Sequence, residues 1–136
     1  MKIKLDEGAK LPTRAHETDA GLDIYARETK VVLAKHGQIF DTGVHVAIPK
    51  GYVGFLKSKS GLNVKEGITS EGVIDAGYTG SIAVKLYNHT EFDYLVHKGD
   101  KISQLVILPI ETPDLEVVEE LEETDRGNNG FGSSGK

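Results

Sequence analysis

A carboxylate and an aromatic ring lie three positions apart in Gly72-Val73-Ile74-Asp75-Ala76-Gly77-Tyr78-Thr79-Gly80. An Asp in a turn ordinarily hydrogen-bonds its own backbone. Asp75 follows an apolar Val-Ile pair and precedes Tyr78, so it is also placed to line a pocket wall, where a carboxylate can orient or deprotonate a water. Lys57-Ser58-Lys59-Ser60-Gly61-Leu62 offers two cations, two hydroxyls and a glycine ahead of a short helical pattern. That set suits a phosphate cradle, and equally a basic edge strand closed by a Ser cap. Asp23 sits inside the apolar run Gly21–Tyr25. A buried carboxylate is costly alone, so Asp23 requires a cation, a metal's water shell or a donor network. Gln104 puts a neutral donor among the apolar residues of Lys101–Val106.

The segment Arg126–Gly135 joins a permanently charged guanidinium to a lone aromatic, Phe131, set among Gly and Ser. Arg suits phosphate oxygens, an aromatic suits a base, and glycines let backbone N–H groups approach a ligand. A flexible low-complexity end is the bland reading and a nucleotide lid the specific one. Gly130–Lys136 also fits the first seven positions of a Walker A loop; the match is expected to be fortuitous, because no metal-binding Ser/Thr and no helix follow it. The five His residues show no metal-ligand spacing, and no zinc site is read from them.

Short β-prone runs must position these groups. They recur at Gly21–Tyr25, Val31–Leu33, Gln38–Phe40, Val44–Ile48, Tyr52–Leu56, Ser81–Tyr87, Lys101–Leu108 and Leu115–Val118. Several alternate apolar and polar residues, as strands buried on one face do. Turn signals such as Pro49-Lys50-Gly51 separate them, and the one helical pattern is a turn or two at Gly61–Glu66. Many short strands with almost no helix predict an all-β fold, a sandwich, barrel or jelly roll. The 136 residues suffice for one core, with a body at 1–118 and a flexible C-terminal arm at 119–136.

Charge narrows the class. Residues 1–110 carry 14 Lys and Arg against 13 Asp and Glu, whereas residues 111–136 carry 2 against 8. A net charge of −5 argues against a general nucleic-acid binder. No apolar run reaches the length of a membrane span. With no Cys, disulfides and thiolate metal sites are excluded, and a cytoplasmic protein is expected.

Taken in order, DAGLDIYA, KSKSGL, GVIDAGYTGSI, GDKISQLV and RGNNGFGSSG resemble the five motifs of the homotrimeric dUTP pyrophosphatase (dUTPase) family. Five collinear motifs spanning nearly the whole chain are specific where one alone is weak. The resemblance implies a distorted jelly-roll β-barrel, with three chains building each site and the acidic arm crossing to a neighbour. It implies hydrolysis of dUTP to dUMP and pyrophosphate with Mg²⁺, which limits uracil incorporation into DNA and supplies dUMP for thymidylate synthesis. Asp75 would hold the attacking water, and Tyr78 would exclude a 2′-OH. Backbone around Val73, Ile74 and Ala83 would read the uracil edge. Lys59, Ser60, Gly61 and Gln104 would bind phosphates, and Asp23 would meet the water shell of Mg²⁺. Arg126 would grip the γ-phosphate while Phe131, with Gly132 and Ser133, closes over the base.

The chain departs from the family pattern at four places. Lys59 stands where Arg is usual and so lacks the bidentate fork. Thr69 replaces a frequent Asn, Ser81 a common Glu or Asn, and Asn63 a frequent Ala. The rival readings are a dCTP deaminase, for which Glu71 is the acid nearest the Asp75 segment, and a nucleotide sensor or protein-binding module. A regulatory protein partner is compatible with turnover.

Overall fold

A computed structural model describes residues 1–135. Its elements, in chain order, are β1 (Lys2–Leu5), β2 (Gly21–Tyr25), β3 (Lys30–Val32), β4 (Gly37–Asp41), β5 (Val44–Ala47), β6 (Tyr52–Lys57), α1 (Ser60–Glu66), β7 (Ile68–Ile74), β8 (Ala83–Asn88), β9 (Tyr94–Val96) and β10 (Lys101–Pro109). A six-stranded antiparallel sheet runs β2-β10-β6-β7-β8-β4, and the pairs β1-β5 and β3-β9 complete a distorted jelly-roll barrel.

Alternation explains the core. In β8, Val84, Leu86 and Asn88 point inward while Ala83, Lys85 and Tyr87 face out. These inward residues join Ile24, Val32, Phe40, Val44, Val46, Leu56, Ile68, Ile82, Ile102 and Leu105 in one apolar cluster. Asn88 is the polar member and is fully satisfied. Its amide donates to the carbonyls of Val32 and Phe92 at 3.0 and 2.7 Å, and its oxygen accepts from the Thr90 backbone and hydroxyl. A polar group so placed fixes the turn after β8 rather than weakening the core.

The long strand β10 departs from simple alternation in a way that matters for the site. Its register with β2 shifts between Lys101 and Ser103. Strict alternation would put Ile102 and Gln104 on one face; with the bulge, Ile102, Ser103 and Leu105 are all buried. A bulge re-aims side chains beside functional sites. Here it turns Gln104 away from the barrel interior and buries the Ser103 hydroxyl, which bonds the Lys57 carbonyl and the Ser70 hydroxyl.

The sequence missed three strands. β1 is a charged, wholly exposed edge; β9 has three residues; β7 reads as turn-rich because Thr69-Ser70-Glu71-Gly72 fills its middle. In β7 those residues fit because Ser70 bonds neighbouring segments and Gly72 lies against Leu56. Conversely, the run expected as a strand at Leu115–Val118 has none: among the described residues no strand lies beside it, and Leu115 and Val117 are 94% and 99% exposed. β6 is flanked by β10 and β7, which removes the edge-strand reading of the Lys57 segment. No described helix is long and apolar enough to cross a membrane.

Leu105, with no exposed surface, is packed at the centre of β10. Leu105→Ala should cost about 2–5 kcal/mol in urea unfolding, the range for a leucine deleted from a rigid core. A loss under about 1 kcal/mol would mean that the barrel interior does not close on β10.

Candidate functional site

Asp23 found its partners: it is 4% exposed and held by two ammonium groups. Lys59 Nζ contacts Oδ1, and Lys101 Nζ lies 2.7 Å from Oδ2. Burial pushes the Asp23 carboxyl up, but the two lysines outweigh it and hold the group below the usual carboxylate range. The same contact raises the Lys101 ammonium. Lys59 arrives there because β6 ends at Lys57 and the chain turns into α1 with Lys59 at the N-cap and the Asn63 N–H bonded to its carbonyl. Ser60 and Gly61 therefore begin the helix with N–H groups that have no partner within it.

Serines lock that turn to the sheet. The Ser58 hydroxyl donates to the Ser70 carbonyl at 3.1 Å and accepts from the Ser70 N–H at 2.9 Å. Gln104 Nε2 donates to the Ser58 carbonyl at 3.0 Å. Gly21, two residues before Gln104's partner Asp23 on β2, leaves room for it: a Cβ there would lie 2.4 Å from Gln104 Oε1. Asp23, Lys59, Ser60, Gly61 and Gln104 are thus gathered around one turn, with Lys101 as a cation that sequence reasoning did not assign.

The Asp75 group lies at the far end of the same strands. β7 and β8 pair only at Ile68–Ser70 with Leu86–Asn88, then splay. Glu71–Ile74 keep their ladder to β6, and Ala83–Lys85 keep theirs to β4. The facing backbone edges of Val73, Ile74 and Ala83 are left unpaired with each other, forming an open slot with both donors and acceptors. Asp75 follows at its mouth, exposed, and its carboxylate accepts no hydrogen bond from another described residue. The backbone turn is closed instead by the Tyr78 N–H on the Asp75 carbonyl at 3.2 Å, with Gly77 at φ +92 in the third position.

Tyr78 is held in place although half its surface is exposed. Its hydroxyl donates to the Ser81 carbonyl at 3.0 Å, and its ring folds over Gly80, where a Cβ would come 2.4 Å from the phenol oxygen. Glu71, the acid considered for a deaminase, faces away into an exposed pair with Lys57 at 2.8 Å. That exposed pair engages the Glu71 carboxylate, whereas the Asp75 carboxylate has no hydrogen-bond donor among the described residues.

Within one chain the two halves do not meet. Lys57 pairs with Glu71 and Gly54 with Ile74, so three strand residues, about 10 Å, separate the level of the lysines from that of the slot. The Arg126–Gly135 segment joins neither. Among the described residues its hydrogen bonds are local, from Arg126 Nε to the Asn129 carbonyl, between its own backbone groups, and from the Gly127 N–H to the Thr124 hydroxyl just before it. Phe131 is fully exposed in a left-handed backbone conformation at φ +47, with Gly132 and Ser133 beside it. The last backbone tie to the barrel is the Ile110 N–H on the Gly51 carbonyl.

Known proteins resemble this chain in sequence and in fold. A family model described as dUTPase matches residues 7–135. The deoxyuridine 5'-triphosphate nucleotidohydrolase of Clostridium tetani is 45% identical, over 100% of this chain and 97% of its own. The dUTPase of Staphylococcus bacteriophage 80alpha, solved with dUpNHpp, superposes with a TM-score of 0.93 at 38% identity, covering 99% of this chain and 98% of that one. A mutant dUTPase of phage phi11 of S. aureus, solved to show coordination of a structural Mg(II) ion, gives 0.83 at 36% identity, covering 90% and 98%. Matched over nearly its full length by that model and by relatives well above a third identical, this chain belongs to the dUTPase family.

Proposed function

We propose that the chain hydrolyses dUTP to dUMP and pyrophosphate, so limiting uracil in DNA and supplying dUMP. The observation that carries this reading is the open slot between β7 and β8 with an unengaged carboxylate at its mouth. Uracil presents acceptor, donor and acceptor along its pairing edge, which a strand edge with alternating N–H and C=O groups complements; cytosine reverses two of the three and leaves groups unpaired. The slot's width, set by backbone on both sides, disfavours a 5-methyl group. Tyr78, fixed over Gly80, lies where a deoxyribose would stack and a 2′-OH would collide.

The phosphate chain would meet the first turn of α1, with Ser60 and Gly61 donating and Lys59 and Gln104 beside them. Among the described residues no three His, Asp or Glu come together to hold a metal, so Mg²⁺ would arrive on the triphosphate. Asp23 has the hard oxygens to accept hydrogen bonds from its water shell, once one lysine leaves them. Bound there, the metal supplies neutralisation of the charge building on pyrophosphate. Asp75 orients a water in line with the α-phosphorus and takes its proton.

We further propose that the site is completed in a homotrimer. The separation of the slot from the lysine turn supports it, and so does the body of residues 1–118 with its arm, 119–136. Leu115, Val117 and Leu121 stand in solvent, while an apolar depression of about 440 Å³ opens beside β1, lined by Met1, Ile3, Leu11, Leu22, Tyr52 and Ile107. Exposed apolar residues on a strand-like segment call for a covering surface, and a neighbour's arm is the natural match. Arg126 and Phe131 would then reach a site of another chain, gripping the γ-phosphate and stacking on uracil. The cytoplasm is the compartment in which such an enzyme meets dUTP.

Pyrophosphate release should be seen from dUTP and not from dCTP, dTTP or UTP; ammonia from dCTP would instead indicate a deaminase. Asp75→Asn should lower kcat about 10²–10⁴-fold while dUTP still binds, and a rate near wild type would remove its water-holding role. Tyr78→Ala should raise UTP turnover relative to dUTP by roughly tenfold or more, whereas an unchanged ratio would contradict sugar exclusion. Light scattering of a form lacking residues 125–136 should still report a trimer, with hydrolysis collapsed; full activity would exclude the lid.

A further inference from the structure

We propose that His45 is a positioning residue for the Tyr78 turn and that its imidazolium form makes sugar discrimination pH-dependent. The inference rests on reading Tyr78 as the group that faces the sugar. His45 is on β5, opposite Lys4 on β1. Its Nδ1 lies 2.8 Å from the carbonyl oxygen of Thr79, the residue after Tyr78, and its Nε2 lies 3.1 Å from Asp6 Oδ2. A carbonyl and an ionised carboxylate only accept hydrogen bonds, so the ring satisfies both only when both nitrogens carry protons. Neutral imidazole must give up one of the two contacts and turn a lone pair toward an oxygen.

The contact closes a ring of interactions around the turn. Tyr78 bonds the Ser81 carbonyl, and the Ser81 hydroxyl donates to Asp41 Oδ1 while accepting from the Gly43 N–H. Asp41 Oδ2 lies 3.4 Å from Arg27 Nη1, which is also 3.9 Å from Asp6 Oδ2. From Asp6 the path returns through His45 to Thr79. The turn carrying Tyr78 is therefore clamped at Ser81 by groups that stay charged at neutral pH, and at Thr79 by the one group that titrates near it.

All the charges facing His45 are accounted for. The Thr79 carbonyl and then Asp6 favour its protonated form, Lys4 opposes it, and its pKa is raised above the ordinary imidazole value. Arg27 and Asp41 act on it through Asp6, whose own carboxyl is held low first by His45 and then by Lys4 and Arg27. Lys2 lines a shallow depression together with His45, Lys4 and Thr79. With a raised folded-state value, the two-sided clamp is complete below the ordinary histidine pKa, and one of its two bonds is lost as pH rises through the raised one. Discrimination against UTP should weaken in that direction.

The test compares kcat/KM for dUTP with that for UTP between about pH 6 and pH 9, alongside NMR titration of His45 and of the Tyr78 ring. In the wild type, the dUTP preference should fall about threefold to tenfold across the His45 titration, the scale of one ordinary net hydrogen bond. His45→Gln should flatten that pH dependence, and Asp6→Asn should move it to lower pH together with the His45 titration. The Tyr78 ring signals should follow His45 in the absence of any nucleotide. A flat preference with dUTP still hydrolysed, or Tyr78 signals indifferent to His45, would overturn the inference and leave the activity untouched. Failure to hydrolyse dUTP at all would remove the activity, with the Tyr78 signals still deciding whether His45 governs the turn.

Discussion

Asp23 carries a charge into the side of a barrel where it has almost no water, and that requirement organises half of the site. A carboxylate so placed must be neutralised. The two ammonium groups that do it come from the β6–α1 turn and from the start of β10, so satisfying one strand residue brings two other segments together. The serine bonds from Ser58 and Ser103 then fasten the same turn to β7 and β10. What results is a compact group of cations, hydroxyls and helix-start N–H groups, already paid for by a structural need, which an incoming polyanion can recruit. Lys101 is the more exposed of the pair and the easier one to release.

The other half of the site comes from a sheet that stops pairing. Hairpin strands normally pair to their turn, yet β7 and β8 separate after three pairs and find other neighbours. Unpaired backbone edges are normally a liability. Between two diverging strands they leave a slot lined by backbone donors and acceptors that no side chain has to supply. What Val73, Ile74 and Ala83 offer to the slot is backbone, so those positions carry no chemical signature in the sequence.

Both halves use breaks in β regularity, the splay of one hairpin and the bulge in β10, and each break places a polar group that alternation would have misdirected. The rest of the barrel follows simple alternation and holds these irregularities against relaxation. A single chain nonetheless leaves the halves at opposite ends of the β6–β7 pair and its Arg126–Gly135 segment outside both. The fold thereby positions each part locally, and in the proposed trimer their meeting is left to assembly.

The five segments and their order were legible in the sequence, and Asp23, Lys59, Asp75, Tyr78, Gln104, Arg126 and Phe131 could be singled out as candidates, because each chemical group lies within a short local signal. Strands with clean alternation, such as Gly21–Tyr25, were legible for the same reason. β7 was not, since Ser70, Glu71 and Gly72 suit a strand only through partners distant in sequence, and Leu115–Val118 misled because β-propensity cannot provide a neighbouring strand. Tertiary structure alone decided that Lys59 and Lys101 share Asp23, that Glu71 is occupied by Lys57, and that His45, Asp6, Arg27, Asp41 and Ser81 ring the Tyr78 turn. Those contacts join residues far apart along the chain. Local sequence fixes which groups exist and how their own backbone turns, but which charge meets which is set by register and barrel closure, where distances are independent of sequence separation.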